Sequence, residues 1–151
     1  MMSLISSSVC EGDFCSERKD FEAIAGLVEA PVMVEADGFE SAEGLKAIYF
    51  DGLDYKGKPT KVFAWLGMPE VKAGKAGKIP AKVPAMVLVH GGGGTAFKDW
   101  VQRWNERGYA AISIAVEGQT DKRSEDGESW RKHEWAGPSR VGIYGDAKEE
   151  F

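Results

Sequence analysis

The residues whose types and spacing could do chemistry sit in one run, His90-Gly91-Gly92-Gly93-Gly94, between an apolar stretch and a helical pattern. Four consecutive glycines leave the backbone free to take positive φ and let another group approach its amides closely. Three chemistries use a loop of this kind. A phosphate loop of the G-x-x-x-x-G-K-[ST] type needs a lysine after its last glycine and a hydroxyl after the lysine. Here Lys98 follows Phe97 and precedes Asp99, so that chemistry is rejected. A dinucleotide loop needs G-x-G-x-x-G/A, which Gly91, Gly93 and Ala96 satisfy, with Glu117 past the next strand to hold a ribose hydroxyl. An oxyanion hole needs amide donors aimed at the oxygen that becomes negative in a tetrahedral intermediate. Glycine then serves for access rather than for any side chain.

The elements around the loop must position it. Met86, Val87, Leu88 and Val89 form an unbroken apolar run after Pro84, the pattern of a strand buried on both faces. Thr95 is the expected N-cap of a helix whose apolar residues Phe97, Trp100, Val101 and Trp104 share one face. Asp99 suits the positive end of its dipole, and Gly108 is the expected C′ residue. Residues 109–116 read as a second buried strand, parallel to the first. Ahead of this unit, residues 45–51 and 61–66 are strand-like runs separated by DGLDYKGKPT, which carries the punctuation of a turn. They are expected to form an antiparallel hairpin. After the second parallel strand, EGQTDKRSEDGESWRKHEWAGPSR reads as a long polar loop, on the side where open α/β sheets place their ligands.

Composition narrows the partners. A net charge of −5 and a pI near 5.1 argue against nucleic acid and anionic membranes. No apolar run approaches the ~20 residues a bilayer span requires. MMSLISSSVC is a poor signal peptide because it is short and has no basic flank, and the compartment is left open. Cys10 and Cys15 read as free thiols in a polar tail. Asp20 is expected to cap a short helix before Pro31, and residues 35–44 to form an acidic loop. Lys72, Lys75, Lys78 and Lys82 read as a solvated connection rather than a polyanion patch.

Three stretches carry a family resemblance: GLKAIYFDGLDYKGKPTKVFAWLGMPE, VLVHGGGGTAFKDWVQRWNERGYA, and EGQ followed by Ser124-Glu125-Asp126. Over residues 44 to about 145 the chain resembles the N-terminal part of an α/β-hydrolase, of the acetyl xylan esterase and cephalosporin C deacetylase group with its dienelactone-hydrolase-like relatives. That group often has Arg where Glu117 stands, and Tyr after its His-Gly. The resemblance implies an α/β fold with an incomplete hydrolase sheet, an antiparallel hairpin followed by a parallel βαβ unit. It divides the chain into an N-terminal extension over 1–43 and a partial hydrolase domain over 44–151. It implies an esterase or deacetylase acting on a small-molecule or carbohydrate ester, with no cofactor and no metal. His90 and Gly91 match the opening of the oxyanion loop and would orient it. Gly92 aligns with the amide donor, and Gly93 is the neighbouring candidate.

The nucleophile is not expected here. No G-x-S-x-G occurs, and Ser129, within Gly127-Glu128-Ser129-Trp130-Arg131, follows no buried strand. The triad order in this fold is Ser, then Asp or Glu, then His, so all three are expected after Phe151 and the 151-residue chain alone is expected to be inactive. His90 would stand in the wrong order for the base, which favours an orienting role. His133, between Lys132 and Glu134, reads as a surface histidine, with substrate contact as the alternative. Trp130 and Trp135 either line a substrate cleft or cap the core. Asp121, Glu125 and Asp126 read as a solvated acidic turn rather than a metal site. An incomplete sheet would also leave the strand over 86–89 with an unpaired apolar edge, open to self-association. The alternatives from other classes are a small NAD-type nucleotide-binding module and a non-catalytic pseudoenzyme.

Overall fold

Seven strands and one helix account for the regular structure among the described residues, 28–42, 44–70 and 82–137 of the computed structural model. All of them belong to the compact unit that begins at Pro31. The helix expected after Asp20, Cys10, Cys15, Lys72, Lys75, Lys78 and the stretch 141–144 lie outside the described residues.

Strands β2 (Leu45–Asp51) and β3 (Lys61–Gly67) form the expected antiparallel hairpin, with Leu45 opposite Gly67 and Asp51 opposite Lys61. The tip closes through paired backbone bonds between Tyr55 and Lys58. Lys56 and Gly57 between them have φ of 49° and 71°, the positive values of a type I′ turn. Strand β1 (Met33–Glu35) adds antiparallel to the other side of β2. It ends at Glu35, the first residue of the expected acidic loop, and its three residues carry no strand pattern in the sequence.

Strands β4 (Ala85–Val89) and β5 (Ala110–Ile114) pair in parallel, joined by helix α1 (Lys98–Asn105). β5 also pairs antiparallel with β3, so the mixed sheet has the order β1-β2-β3-β5-β4. α1 lies against the face that carries Phe63, Trp65, Ala111 and Ser113, and Val101 is its fully buried residue. The approach is close: a Cβ at Gly67 would sit 2.5 Å from Val101 Cγ1 and 2.1 Å from Asn105 Oδ1. Phe39 and Tyr49 extend the core as aromatic neighbours of Phe63, at ring separations of 4.7 and 5.6 Å.

Some expectations change. Thr95 is not the N-cap. That position falls to Phe97, which has no side-chain cap, and Thr95 is buried with its hydroxyl donating to the Thr120 carbonyl at 2.8 Å. Buried Ser113 serves the helix start instead, its hydroxyl accepting the Phe97 N–H at 3.0 Å. Of the expected helical stripe, Trp100 is exposed and meets the Phe97 ring at a tilt of 42°, ring centres 4.7 Å apart. The C-terminal end behaves as read. Tyr109 N–H donates to Trp104 O and Gly108 N–H to Asn105 O, the Schellman pair, with Gly108 at φ 84°.

β4 is not buried on both faces. Val87 and Val89 are 66% and 56% exposed, and no strand pairs with its outer edge among the described residues. The long polar loop after β5 is also corrected. It folds into an antiparallel hairpin of β6 (Gln119–Arg123) and β7 (Trp130–Lys132).

Candidate functional site

The glycine loop leaves the C-terminal end of β4 and closes a turn in which Gly94 N–H donates to Gly91 O at 3.1 Å. Gly93, third in that turn, has φ 75°, as a type II turn requires. Three of the four glycine carbonyls are fastened. Gly91 O accepts from Gly94 N–H and from His90 Nδ1 at 2.6 Å; Gly93 O accepts from Trp130 Nε1 at 3.0 Å; Gly94 O accepts from Gln119 Nε2 at 2.7 Å. The amides of Gly92 and Gly93 are different: no described residue accepts them, and both glycines are exposed.

His90 is buried beneath the turn. Its partners determine the tautomer. Val116 N–H donates to Nε2 at 3.2 Å, so Nε2 carries the lone pair. The Gln119 amide is oriented by Glu117 N–H, which donates to Oε1 at 2.8 Å. Its NH₂ group therefore also faces His90 Nε2, at 3.2 Å. Nδ1 holds the proton and donates it to Gly91 O. A ring committed on both nitrogens orients backbone and is not free to take a proton from a nucleophile. Gly94 packs directly on this ring, since a Cβ there would lie 2.8–2.9 Å from His90 Cβ, Cγ and Nδ1.

The β6–β7 hairpin walls the loop. Arg123 stacks its guanidinium 3.8 Å from the Trp130 ring centre, and Phe97 meets that ring edge-on at 6.3 Å. A cavity of about 240 Å³ lies between hairpin and loop, lined by Gly93, Gly94, Glu117, Arg123, Ser129 and Trp130. Ser129 lies at the hairpin tip. Its Oγ is 2.9 Å from Ser124 Oγ, which in turn donates to Asp126 Oδ1 at 2.5 Å. This hydroxyl chain shapes a turn and brings no imidazole to Ser129.

Trp130 and Trp135 do not share a cleft. Trp135 meets Tyr49 edge-on at 5.3 Å and lines a separate cavity of about 320 Å³ with Phe39, Tyr49, Lys122 and His133. His133 is not a surface histidine. It is half-buried against Tyr49, ring centres 5.1 Å apart, and both of its ring nitrogens are buried with no hydrogen-bond partner. Burial holds its pKa below the ordinary histidine value. A third cavity, about 390 Å³, is lined by Glu35, Ser41, Gly44, Lys46, Leu66 and Met68 at the opposite end of the sheet, and there Lys46 pairs with Glu35.

The acidic residues are engaged separately. Asp121 accepts Trp65 Nε1–H at 2.7 Å, and burial raises its pKa despite that bond. Asp126 accepts from the Ser124 hydroxyl, which lowers its pKa, and from Glu128 N–H at 3.0 Å. Among the described residues no three acidic, histidine or cysteine side chains are grouped to hold a metal. No helix described is long and apolar enough to cross a membrane.

For the dinucleotide arrangement, Gly93 and Glu117 do line one cavity and Ala96 is buried. The helix, however, begins only at Lys98, and the Phe97 amide is already held by Ser113. The glycines therefore do not open directly into a helix N-terminus, where a pyrophosphate would sit. Gln119, Ser113 and the Trp130 bond to Gly93 were not assigned roles from the sequence. The Gln119 signal was present in the Glu117-Gly118-Gln119 run, but nothing local says which way its amide points.

No family model matches the chain, and no curated protein matches it. Among solved structures, the acetyl xylan esterase from Paenibacillus sp. R4 is similar at 20% identity with a TM-score of 0.46, over 76% of this chain. The chain spans 35% of that esterase's length.

Proposed function

We propose that this chain carries the oxyanion half of a carboxylic ester hydrolase, of the acetyl esterase and deacetylase type. The observation that carries the reading is the polarity of the glycine loop: the Gly91, Gly93 and Gly94 carbonyls are tied inward, while the Gly92 and Gly93 amides have no acceptor among the described residues. Two such donors beyond a parallel strand suit an oxygen that gains charge in a tetrahedral intermediate, and removing one donor of this kind typically costs about 100- to 1000-fold in kcat. Gly92 is the principal donor and Gly93 its neighbour; His90 and Gly91 orient the loop. The 240 Å³ cavity beside Trp130 receives the ester. The nucleophilic serine, the acid and the base belong to sequence beyond Phe151, and the unpaired edge of β4 is where the strands bearing them would add. The resemblance in the hairpin, loop and Glu117-Gly118-Gln119 stretches agrees with this reading.

The test compares two proteins with an activated acetyl ester: the 151-residue chain, and a chain extended through the reading frame downstream of Phe151. Turnover only in the extended chain, with the serine of a new G-x-S-x-G required, is the expected result. A stop codon directly after Phe151, or turnover by the short chain that survives rigorous purification, refutes it.

A further inference from the structure

We infer that Gln119 is the positioning residue of the glycine loop, the side chain that pins both ends of its turn and, through His90, sets which way the Gly92 amide faces. This rests on the proposed oxyanion role of Gly92 and Gly93. Gln119 is buried at the start of β6, and it bonds at both ends. Oε1 accepts Glu117 N–H, which fixes the amide against a flip. Nε2 then donates to Gly94 O at 2.7 Å and faces His90 Nε2 at 3.2 Å. Each contact forces the next. With Val116 N–H also aimed at His90 Nε2, that nitrogen must accept, so Nδ1 must donate, and its target is Gly91 O.

Gln119 thus holds one end of the turn directly, at Gly94, and the other through the imidazole, at Gly91. Peptide planes are rigid, so fixing a carbonyl on one side sends the amide of the same plane to the other. The plane joining Gly91 to Gly92 has its oxygen fixed by His90, which turns the Gly92 N–H away from the ring. Glutamate could not supply the donor, and leucine, of similar size, supplies neither donor nor acceptor.

The test is nitrogen-15 NMR of the 151-residue chain and its Gln119→Leu variant. In the wild type, His90 is expected as the neutral tautomer protonated on Nδ1. In Gln119→Leu, the His90 ring signals and the Gly91, Gly92, Gly93 and Gly94 cross-peaks should move. Hydrogen exchange at the Glu117 amide should speed by about tenfold or more as its acceptor is lost, with exchange in β2 and β3 unchanged. Glycine and His90 signals that stay in place would show that Gln119 merely fills space, and the inference falls. A wild-type His90 protonated on Nε2 overturns it without any variant. Should Gln119→Leu unfold, Gln119→Glu keeps the acceptor for Glu117 while losing the donor, and it must move the same glycine signals. None of these readouts needs turnover, so an extended chain without esterase activity would remove the proposed reaction and leave this wiring intact.

Discussion

A scan of alanine through three glycines of the loop separates three physical reasons for glycine. At Gly94, a Cβ would lie 2.8 Å from His90 Cβ and 2.9 Å from its Cγ and Nδ1. The ring cannot swing aside cheaply, because it is held through Gly91 O, Val116 N–H and Gln119. Overpacking typically costs about 1–3 kcal/mol, and each hydrogen bond displaced adds about 0.5–1.5, so Gly94→Ala should destabilise by about 2–4 kcal/mol. At Gly93 the space is open, but φ is 75°. The left-handed penalty alone applies there, about 1–2 kcal/mol. Gly91 has neither a close neighbour nor a positive φ, so Gly91→Ala should fall within about 0.5 kcal/mol of wild type. Urea unfolding followed by tryptophan fluorescence gives the three values, and unchanged m-values would show that the denatured state is not the source. If Gly94→Ala is neutral, or Gly91→Ala costs as much, the ring does not lie under the loop as described.

The other predictions address burial and edges. At β3, Gly67→Ala should cost about 1–3 kcal/mol, since its Cβ would press on Val101 and Asn105 of α1; a neutral result in the same unfolding assay would mean that the helix sits further from the sheet. His133 has a pKa lowered by burial, so the native state favours its neutral form. Its contribution is complete above the unfolded pKa of about 6.5 and is lost as pH falls from there through the folded pKa. A His133→Phe variant should therefore show a smaller loss of stability than wild type on acidification through that window, and matching pH profiles would refute the assignment. Finally, β4 presents Val87 and Val89 beside an edge with no described neighbour and carries no charged residue. Sedimentation velocity should reveal concentration-dependent association that Val87→Lys suppresses; a wild-type chain that stays monomeric across micromolar to millimolar concentrations would count against it.

What was legible in the sequence followed from patterns with one strong cause. The β2–β3 hairpin, the parallel pairing of β4 with β5 and the glycine at the end of α1 each rest on local periodicity or turn chemistry. The misses have a common source. The expected burial of β4 rests on an apolar run, which marks a strand but not what covers it. His133 reads as a surface residue because its immediate neighbours are charged, whereas Tyr49 covers it from β2 and Trp135, two residues on, packs beside it. The β6–β7 hairpin reads as a loop in the sequence because its strands, Gln-Thr-Asp-Lys-Arg and Trp-Arg-Lys, lack apolar alternation. Its signal lay in the tip, where Ser124, Asp126 and Gly127 make a turn whose side chains bond to its own backbone.

The same distinction applies to the candidate site. Glycine content announces a loop that can expose its amides, but not which amides it exposes. The loop is held by groups far along the chain: Trp130 on Gly93, Gln119 on Gly94, and Gln119 together with Val116 acting through His90 on Gly91. Each is a polar bond from the β5–β6 turn or the hairpin, placed only once β5 has paired with β4. A loop of four glycines would otherwise sample many conformations, and ordering it costs more backbone entropy than ordering any other four residues. The polar hairpin, which reads in the sequence as a long loop at the ligand end of the sheet, supplies part of the compensating bonds. Deleting it should therefore disorder the glycine turn before it disturbs the sheet.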